Sequence, residues 1–555
     1  MKTFMFLALP LLLLLVSCSN ETSDESAIID IKNRSLVNSA ANIPSQCYTK
    51  TEDENGKVYN PCFNCHISSV EPNFIDDVNL QEEYAFKEYA RKNHWTNLFK
   101  DRTKDVLKIS DEEILEYIRE SNYFGSKNEF LLAEKLKNLP DEWDIDGDSK
   151  WDGYIPDCYY NFDNEGFDRG ESGEYTGWRA FGYYPFLGTF WPTNGSTDDV
   201  LIRLPIDFRI DVNGVFDLEV YKINLLIVET LIKQKSIKTF EIDEMKYGVD
   251  LDKDGNFSIA NQITFDYDPR NGIDMYYVGM ANKKEHKIAA GLYPKGTEFL
   301  HAVYYIDIDD NNSIKMASRM KELRYAKKVS WATYTNHKTL WLDELKEADV
   351  FPDRLEVFIG DAERGISNKR GWRYQGFIED EHGELRPQSY EENLLCIGCH
   401  ANIGAIADST FVYQRKFEHD TFQNGWYHWS QKDLQGTKEP TTPDGRNEYS
   451  LYLKENGAGD EFRENDEVIE KFFNEDGSLK DIELQKLNQD ITHLIFPTQQ
   501  RALNLNKAYK IIVNEQSFVY GRDATIRPVK NVHKKLDFEQ STKIDNPIEY
   551  SNSKI

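Results

Sequence analysis

The chain has 555 residues and a net charge of −29, from 66 Lys and Arg against 95 Asp and Glu. This acidity excludes DNA and RNA as expected partners, because phosphate backbones are bound by clusters of positive charge. At roughly 150 residues per domain, the length predicts several structural units with a large buried core. Aromatic residues make up 13% of the chain, which suits the walls of a cofactor pocket and also β-rich cores.

The N-terminus predicts export. Residues 4–16 are apolar apart from Pro10, a run with the length of a secretory signal and shorter than the ~20 residues that span a bilayer. The following "LVSC" resembles a bacterial lipoprotein box, in which Cys18 becomes the acylated first residue. Ser19, where some bacteria use Asp for inner-membrane retention, favours the outer membrane of a Gram-negative bacterium, on either face. The alternative is a simple secretory signal with an incidental cysteine.

The chain divides into segments with different patterns. Residues 199–223 predict two strands around an Asn213-Gly214 turn, and 296–309 predict another strand. Helical patterns precede and follow this β-rich centre. We therefore predict an α+β fold with helical, cysteine-bearing segments around a central β-rich region. The predicted segments are a signal peptide (1–17), a polar tether (18–45), a first cysteine-bearing segment (46–140), a central region with acidic loops (141–345), a second cysteine-bearing segment (346–440) and a helical C-terminal segment (441–555).

Two short motifs indicate a cofactor. The sequence CFNCH spans residues 62–66, and CIGCH spans residues 396–400. Covalent attachment of haem c needs two closely spaced thiols for its vinyl groups and an adjacent imidazole for the iron, which C-x-x-C-H supplies. Zinc binding and thiol–disulfide exchange are the alternatives. We predict that Cys62, Cys65 and His66 hold one haem, and that Cys396, Cys399 and His400 hold a second.

By these two pentapeptides the chain resembles the di-haem c-type cytochromes. The resemblance implies two covalently bound haem c groups and electron transfer to redox partner proteins of the cell envelope. We accordingly expect a lipid-anchored electron carrier. The alternatives are a di-haem, peroxidase-like enzyme with one open haem, and a binding or scaffold protein of the cell surface.

The second axial ligands of these haems are predicted to be histidines. No methionine follows His400, and the first one after His66 is Met245, so the common arrangement with methionine soon after the motif is absent. We expect at least one bis-histidine haem, with a lower potential than a His–Met haem. A lone histidine is more often a core residue than a ligand. The distal candidates are His301 and His94, with His428 and His493 as further candidates for the second haem.

Acidic loops in the central region predict calcium. Asp250, Asp252 and Asp254 alternate before Gly255, as in an EF-hand loop, although Asn261 stands where a bidentate Glu is usual. An acidic surface turn is the alternative reading. The second loop contains Asp144, Asp146, Asp148 and Asp152.

Two cysteines remain after the lipid and the haems. In an oxidising compartment we expect Cys47 and Cys158 to form a disulfide. A bridge closing a loop of about 110 residues contributes about 4 to 5 kcal/mol in the chain-entropy treatment.

Overall fold

The computed structural model describes residues 28–32, 38–52, 58–59, 86–189, 191–268, 272–273, 275–401, 406–442, 445–455 and 465–537. Cys18 and the first haem motif, Cys62, Cys65 and His66, lie outside these ranges. The described part contains a large antiparallel sheet surrounded by helices. The predicted α+β fold class is therefore confirmed.

The strands fall into one large sheet and three short hairpins. The hairpins are β1 (Thr51–Glu52) with β2 (Val58–Tyr59), β6 (Ile237–Asp243) with β7 (Ile259–Ile263), and β8 (Tyr267–Asp268) with β9 (Gly272–Ile273). The large sheet contains β3 (Phe167–Arg169), β4 (Tyr175–Ala180), β5 (Leu201–Arg203), β10 (Glu298–Ile308), β11 (Ile314–Lys328), β12 (Gly360–Asp361), β13 (Gly365–Ser367), β14 (Trp372–Glu379) and β15 (Leu385–Pro387).

The helices lie before, within and after the sheet segment of the chain. Those of the first half are α1 (Glu88–Arg91), α2 (Thr103–Val106), α3 (Asp111–Arg119), α4 (Leu131–Lys137), α5 (Leu218–Lys233), α6 (Glu244–Tyr247) and α7 (Met280–Lys283). Those of the second half are α8 (Tyr334–Val350), α9 (Tyr390–His400), α10 (Val412–Arg415), α11 (Glu448–Glu455), α12 (Asp466–Phe472), α13 (Asp481–Gln489), α14 (Thr492–Ile495) and α15 (Gln499–Glu515).

The large sheet has nine strands in the order β12-β13-β14-β11-β10-β5-β4-β3, with β15 paired to β14. Its centre is the long β10–β11 hairpin, in which His301 is directly opposite Arg324. The strand predicted at residues 296–309 is therefore confirmed, as β10. Cross-strand partners point to the same face of a sheet, so His301 and Arg324 share one face.

Hydrophobic clusters cover both faces of this sheet, because successive strand residues point to opposite sides. On one face, Phe299 packs in a cluster that contains buried residues of α5 and α9. On the other face, Leu300 and Ala302 pack with Trp143 and Trp178. The first of these faces carries the cavity described below.

One predicted strand is a helix. The turn at Asn213-Gly214 is present, with Gly214 at φ +85 and an isolated bridge between Ile210 and Phe216. The second predicted strand is wrong, because Asp217 caps the N-terminus of α5 by accepting hydrogen bonds from Glu219 N and Val220 N at 2.9 and 3.2 Å. The apolar run that follows is buried on nearly all sides of the helix. It therefore lacks the alternation of apolar and polar residues by which a helix is recognised, and its β-branched residues favoured a strand.

The predicted disulfide is also wrong for this structure. Cys47 and Cys158 carry separate sulfurs. Cys158 is fully buried on the Trp143 side of the sheet, whereas Cys47 packs against the cluster on the opposite face. The sheet therefore separates the two thiols, and counting cysteines along the chain does not reveal such a separation.

Candidate cofactor-binding cavity

Helix α9 presents the second cysteine motif. It begins after Ser389, whose backbone N donates to Glu392 Oε2 at 2.8 Å, and Arg386 Nη2 holds the same carboxylate through Oε1 at 3.0 Å. The helix ends at His400. Because residues three apart lie on one face of a helix, Cys396 and Cys399 project to the same side at this end.

A glycine allows the N-terminal segment to pack directly on the motif. A Cβ atom at Gly398 would lie 2.8 Å from Asn42 O and 2.8 Å from Pro44 Cδ. Only a residue without a side chain permits this approach. Segment 42–47 therefore forms a wall beside the two cysteines.

The thiols line a cavity of about 360 Å³ on the Phe299 face of the sheet. Segment 42–47, helix α9, strands β10, β11 and β14, and the chain around residues 183–191 and 410–415 all contribute to its walls. Such a large, aromatic-lined cavity with few polar groups is typical of a cofactor site. The aromatic lining comprises Phe86, Trp95, Tyr183, Tyr184, Phe186, Trp191, Phe299, Tyr325, Tyr374 and Phe411. The ionisable lining comprises Cys47, Asp198, His301, Arg324, Arg415, Arg522 and Asp523 besides the motif itself.

His400 is oriented by a backbone carbonyl. Its Nδ1 lies 3.0 Å from Ser409 O, and its ring stacks on Tyr374 with centroids 5.0 Å apart. A carbonyl accepts only from a protonated nitrogen, so Nδ1 carries the proton and Nε2 is the nitrogen that can bind a metal. Burial lowers the pKa of His400 to about 4, which keeps the imidazole neutral at neutral pH.

His301 lines the same cavity from strand β10. Its Nδ1 lies 3.5 Å from Asp198 Oδ1, and about a quarter of its side chain is exposed. With Asp198 on the Nδ1 side, Nε2 is the nitrogen that can coordinate. After burial, electrostatic interaction with His301 is one of the causes that lower the pKa of His400, which indicates that the two imidazoles lie near one another.

Burial keeps both thiols protonated. It raises the pKa of Cys399 to about 12, against the opposing charge of Arg324, and it raises the pKa of Cys396 as well. Across the described ranges, the groups of three or more His, Cys, Asp or Glu whose ligand atoms converge within 4.8 Å are acidic clusters, and neither contains Cys396, Cys399 or His400. A zinc site needs convergent ligands, so this arrangement fits attachment of a large planar group better than a zinc ion.

The other candidate axial histidines lie elsewhere. His428 has both ring nitrogens engaged, with Nε2 2.9 Å from Asp199 Oδ2 and Nδ1 2.7 Å from Ser430 Oγ. His493 Nε2 lies 2.6 Å from a carboxylate oxygen of Glu483. His94 stacks on Tyr89 and contacts its carbonyl at 3.1 Å. None of the three is among the residues that line the cavity.

The acidic loops are only partly as predicted. Asp144, Asp146 and Asp148 do converge, but Asp152 pairs with Arg364 at 3.3 Å, and Arg364 also pairs with Asp146. A guanidinium therefore already neutralises part of this loop.

In the Asp250 loop, buried Glu244 joins Asp250 and Asp252. The third predicted ligand, Asp254, lies outside this group, and its carboxylate accepts a hydrogen bond from Asn256 N at 2.7 Å. Glu244 precedes Asp250 by six residues, outside the alternating pattern on which the sequence prediction rested.

Comparison with known proteins gives the family. A lipoprotein family model matches residues 31–491. The chain belongs to this lipoprotein family. A protein of Aquifex aeolicus (strain VF5), described as an uncharacterized lipoprotein, is 33% identical over 93% of this chain and 91% of its own length. No solved structure matches the lipoprotein significantly.

The family finding corrects one expectation. Membership of the di-haem c-type cytochromes is wrong, because the family that matches most of the chain is a lipoprotein family and neither it nor the relative is described as a cytochrome. Two pentapeptides were too small a part of the chain to decide its family. The lipoprotein is exported and lipid-anchored. Within the described ranges, no helix has both the length and the apolar character needed to cross a membrane.

Proposed function

We propose that this lipoprotein binds haem c and carries electrons in the cell envelope. The observation that carries the proposal is the cavity on the Phe299 face, where Cys396, Cys399 and His400 share one space with His301. The residues that line the cavity fit a haem group. Two thiols one helical turn apart suit its two vinyl groups, a neutral imidazole with an oriented Nε2 suits its iron, and aromatic walls suit its faces. When bound, haem supplies a centre that accepts and releases one electron.

In this proposal the residues of the cavity have distinct roles. Cys396 and Cys399 hold the group covalently, and His400 is the proximal ligand. His301, with the Asp198 carboxylate on its Nδ1 side, would be the second histidine to bind the iron. Ligation by two imidazoles would give a low-spin site with a low reduction potential, which favours an electron carrier over an enzyme that needs an open position.

The remaining parts of the proposal concern the first motif, calcium and localisation. Cys62, Cys65 and His66 would attach a second haem by the same chemistry. Lipid on Cys18 would hold the protein at the outer membrane of a Gram-negative bacterium, near the redox proteins with which it exchanges electrons. Calcium would bind the Glu244, Asp250 and Asp252 carboxylates, because hard oxygen ligands converge there.

The experiment is haem counting on protein produced in a host that attaches c-type haem. The denatured protein should retain covalent haem, with two groups per chain by mass and by the alkaline pyridine spectrum. Replacing Cys396 and Cys399 with Ser should leave one group. The matched control is Cys47→Ser, which removes a third thiol from the same cavity wall and should leave both haems. Loss of all haem on denaturation would overturn covalent attachment.

A further inference from the structure

A tight turn supplies the carbonyl that orients His400. Ala407 N donates to Thr410 O at 2.9 Å, and Thr410 N donates to Ala407 O at 3.0 Å. The two central residues, Asp408 and Ser409, have φ of +49 and +63. Positive φ at both central positions characterises a type I′ turn, for which Asn-Gly is the usual pair.

The turn is therefore unfavourable for its own sequence. Aspartate tolerates the left-handed region better than most residues, but Ser409 stands where glycine is usual, at a cost of roughly 1 to 2 kcal/mol. Strained backbone persists only where its surroundings enforce it. The bonds that enforce this turn accordingly determine where Ser409 O lies.

A buried ion pair holds the turn. Lys328 Nζ donates to the Asp408 carboxylate, and both side chains are completely inaccessible to solvent. Tyr293 N also donates to Asp408 Oδ2 at 3.0 Å. Lys328 is the last residue of β11, and its own backbone is fixed, since Lys328 N donates to Thr297 O at 2.9 Å and Gly296 N donates to Lys328 O at 2.7 Å.

Strand β14 steadies the carbonyl itself. Tyr374 Oη donates to Ser409 O at 3.1 Å, and the same ring stacks on His400. Ser409 Oγ donates to Ala401 O at 3.1 Å, which ties the turn to the residue after the motif. The carbonyl is thus fixed from the sheet on one side and from the end of α9 on the other.

We propose that Lys328 and Asp408 are positioning residues for the cofactor, which hold the strained turn so that Ser409 O fixes His400 with Nδ1 protonated and Nε2 available to the iron. The proposal rests on the proposed haem site. It also explains a costly feature, since a buried ion pair is often no more stabilising than apolar residues of the same size. Carbonyl and carboxylate partners of a metal-binding histidine set its tautomer, its orientation and its basicity.

The first test uses the protein without haem, so it does not depend on the proposed function. Long-range nitrogen–proton NMR of histidine-labelled protein distinguishes the two imidazole tautomers, and His400→Gln identifies the His400 signal among the 11 histidines. The wild type should show the Nδ1-protonated tautomer. Asp408→Asn, which tolerates positive φ but removes the charge, should lose that single tautomer. A wild-type His400 protonated at Nε2 would overturn the proposal directly.

Two further variants separate positioning from stability. The double variant Lys328→Met with Asp408→Asn leaves no unpaired buried charge, so it should fold even where the single variant does not, and it should also lose the fixed tautomer. Glu229→Gln disrupts another buried ion pair, in which Glu229 lies 3.0 Å from both Lys233 and Lys416. It should lower thermal stability while leaving His400 unchanged. A fixed tautomer retained in the double variant would show that the pair is only structural.

The second test uses the protein with haem at the cavity alone, in a background carrying Cys62→Ser and Cys65→Ser. Hydrogen bonding at Nδ1 makes the imidazole more electron-donating and stabilises ferric iron. The double variant should therefore retain covalent haem but show a higher midpoint potential. An unchanged potential would contradict the positioning role. If the wild type takes up no haem, the proposed function fails, while the NMR result still decides the role of the pair in orienting His400.

Discussion

His301 and Asp198 form an electrostatic pair on the wall of the cavity, with His301 Nδ1 3.5 Å from Asp198 Oδ1. The neighbouring residue Asp199 turns inward to His428 Nε2 at 2.9 Å. Two adjacent aspartates thus contact two different histidines. Asp198 contacts His301, which lines the cavity, and Asp199 contacts His428, which is buried outside it. This difference separates His301 from the other sequence candidates.

Replacing His301 with Ala should convert one haem from low-spin to high-spin, because the proposed distal nitrogen is removed. The altered haem should then bind carbon monoxide, which the wild type should exclude at this site. Visible absorption with and without carbon monoxide measures both effects. The control is His428→Ala, whose imidazole already has two partners. Carbon monoxide binding by that variant alone would assign the distal ligand to His428 instead.

Glu379 should make the protein less stable as the pH rises. Burial raises its pKa to about 7, although Arg319, Tyr117 and Tyr305 contact the carboxylate. Between about pH 4.5 and 7 the native state keeps a proton that the unfolded chain has released, so stability falls by at most about 3 kcal/mol across that window. Glu379→Gln should therefore gain stability relative to the wild type as the pH is raised from 5 to 7. Thermal unfolding at both pH values measures the difference, and exposed Glu381→Gln should show none.

His337 should have the opposite effect. Burial, with the charges of Lys328 and Arg370, lowers its pKa to about 4, and Nε2 lies buried without a hydrogen-bond partner among the residues that the structure describes. Below about pH 6.5 the unfolded chain binds a proton at this histidine, whereas the native state does not. The free energy of unfolding therefore decreases as the pH falls, by at most about 3 kcal/mol near pH 4. His337→Gln should be less sensitive to acid than the wild type. The exposed His382→Gln is the control, and equal acid sensitivity of all three proteins would refute the assignment.

Calcium should stabilise the protein through Glu244 rather than Asp254. A ligand that binds only the native state adds about 2.7 kcal/mol at a hundred times its dissociation constant. The rise in unfolding temperature on adding calcium to chelator-treated protein should shrink in Asp250→Asn and Glu244→Gln. It should persist in Asp254→Asn, because that carboxylate lies outside the group formed by Glu244, Asp250 and Asp252. A calcium effect lost only in Asp254→Asn would restore the EF-hand pattern of the sequence.

The sequence was sufficient for the α+β class and for some of the local elements. Strand β10 with His301 followed from alternation, and α9 ends on the cysteine pair. What could not be predicted depended on contacts between distant segments. Asp198, Ser409 and Lys328 belong to no recognisable motif, and they act on the cavity only because the sheet and the turn bring them there. The helix α5 was missed for a similar reason, since a fully buried helix has no polar face to reveal its period.

Gly398 has a consequence for the order of assembly. Its contact with Asn42 and Pro44 joins parts of the chain that are made far apart in time, and the N-terminal wall segment emerges first but cannot dock until the last helix turn of the motif exists. Until then the two thiols are bordered by an incomplete enclosure. In the proposed function, haem would be joined to Cys396 and Cys399 before residues 42–47 dock against Gly398, and that docking would then complete the wall of the cavity.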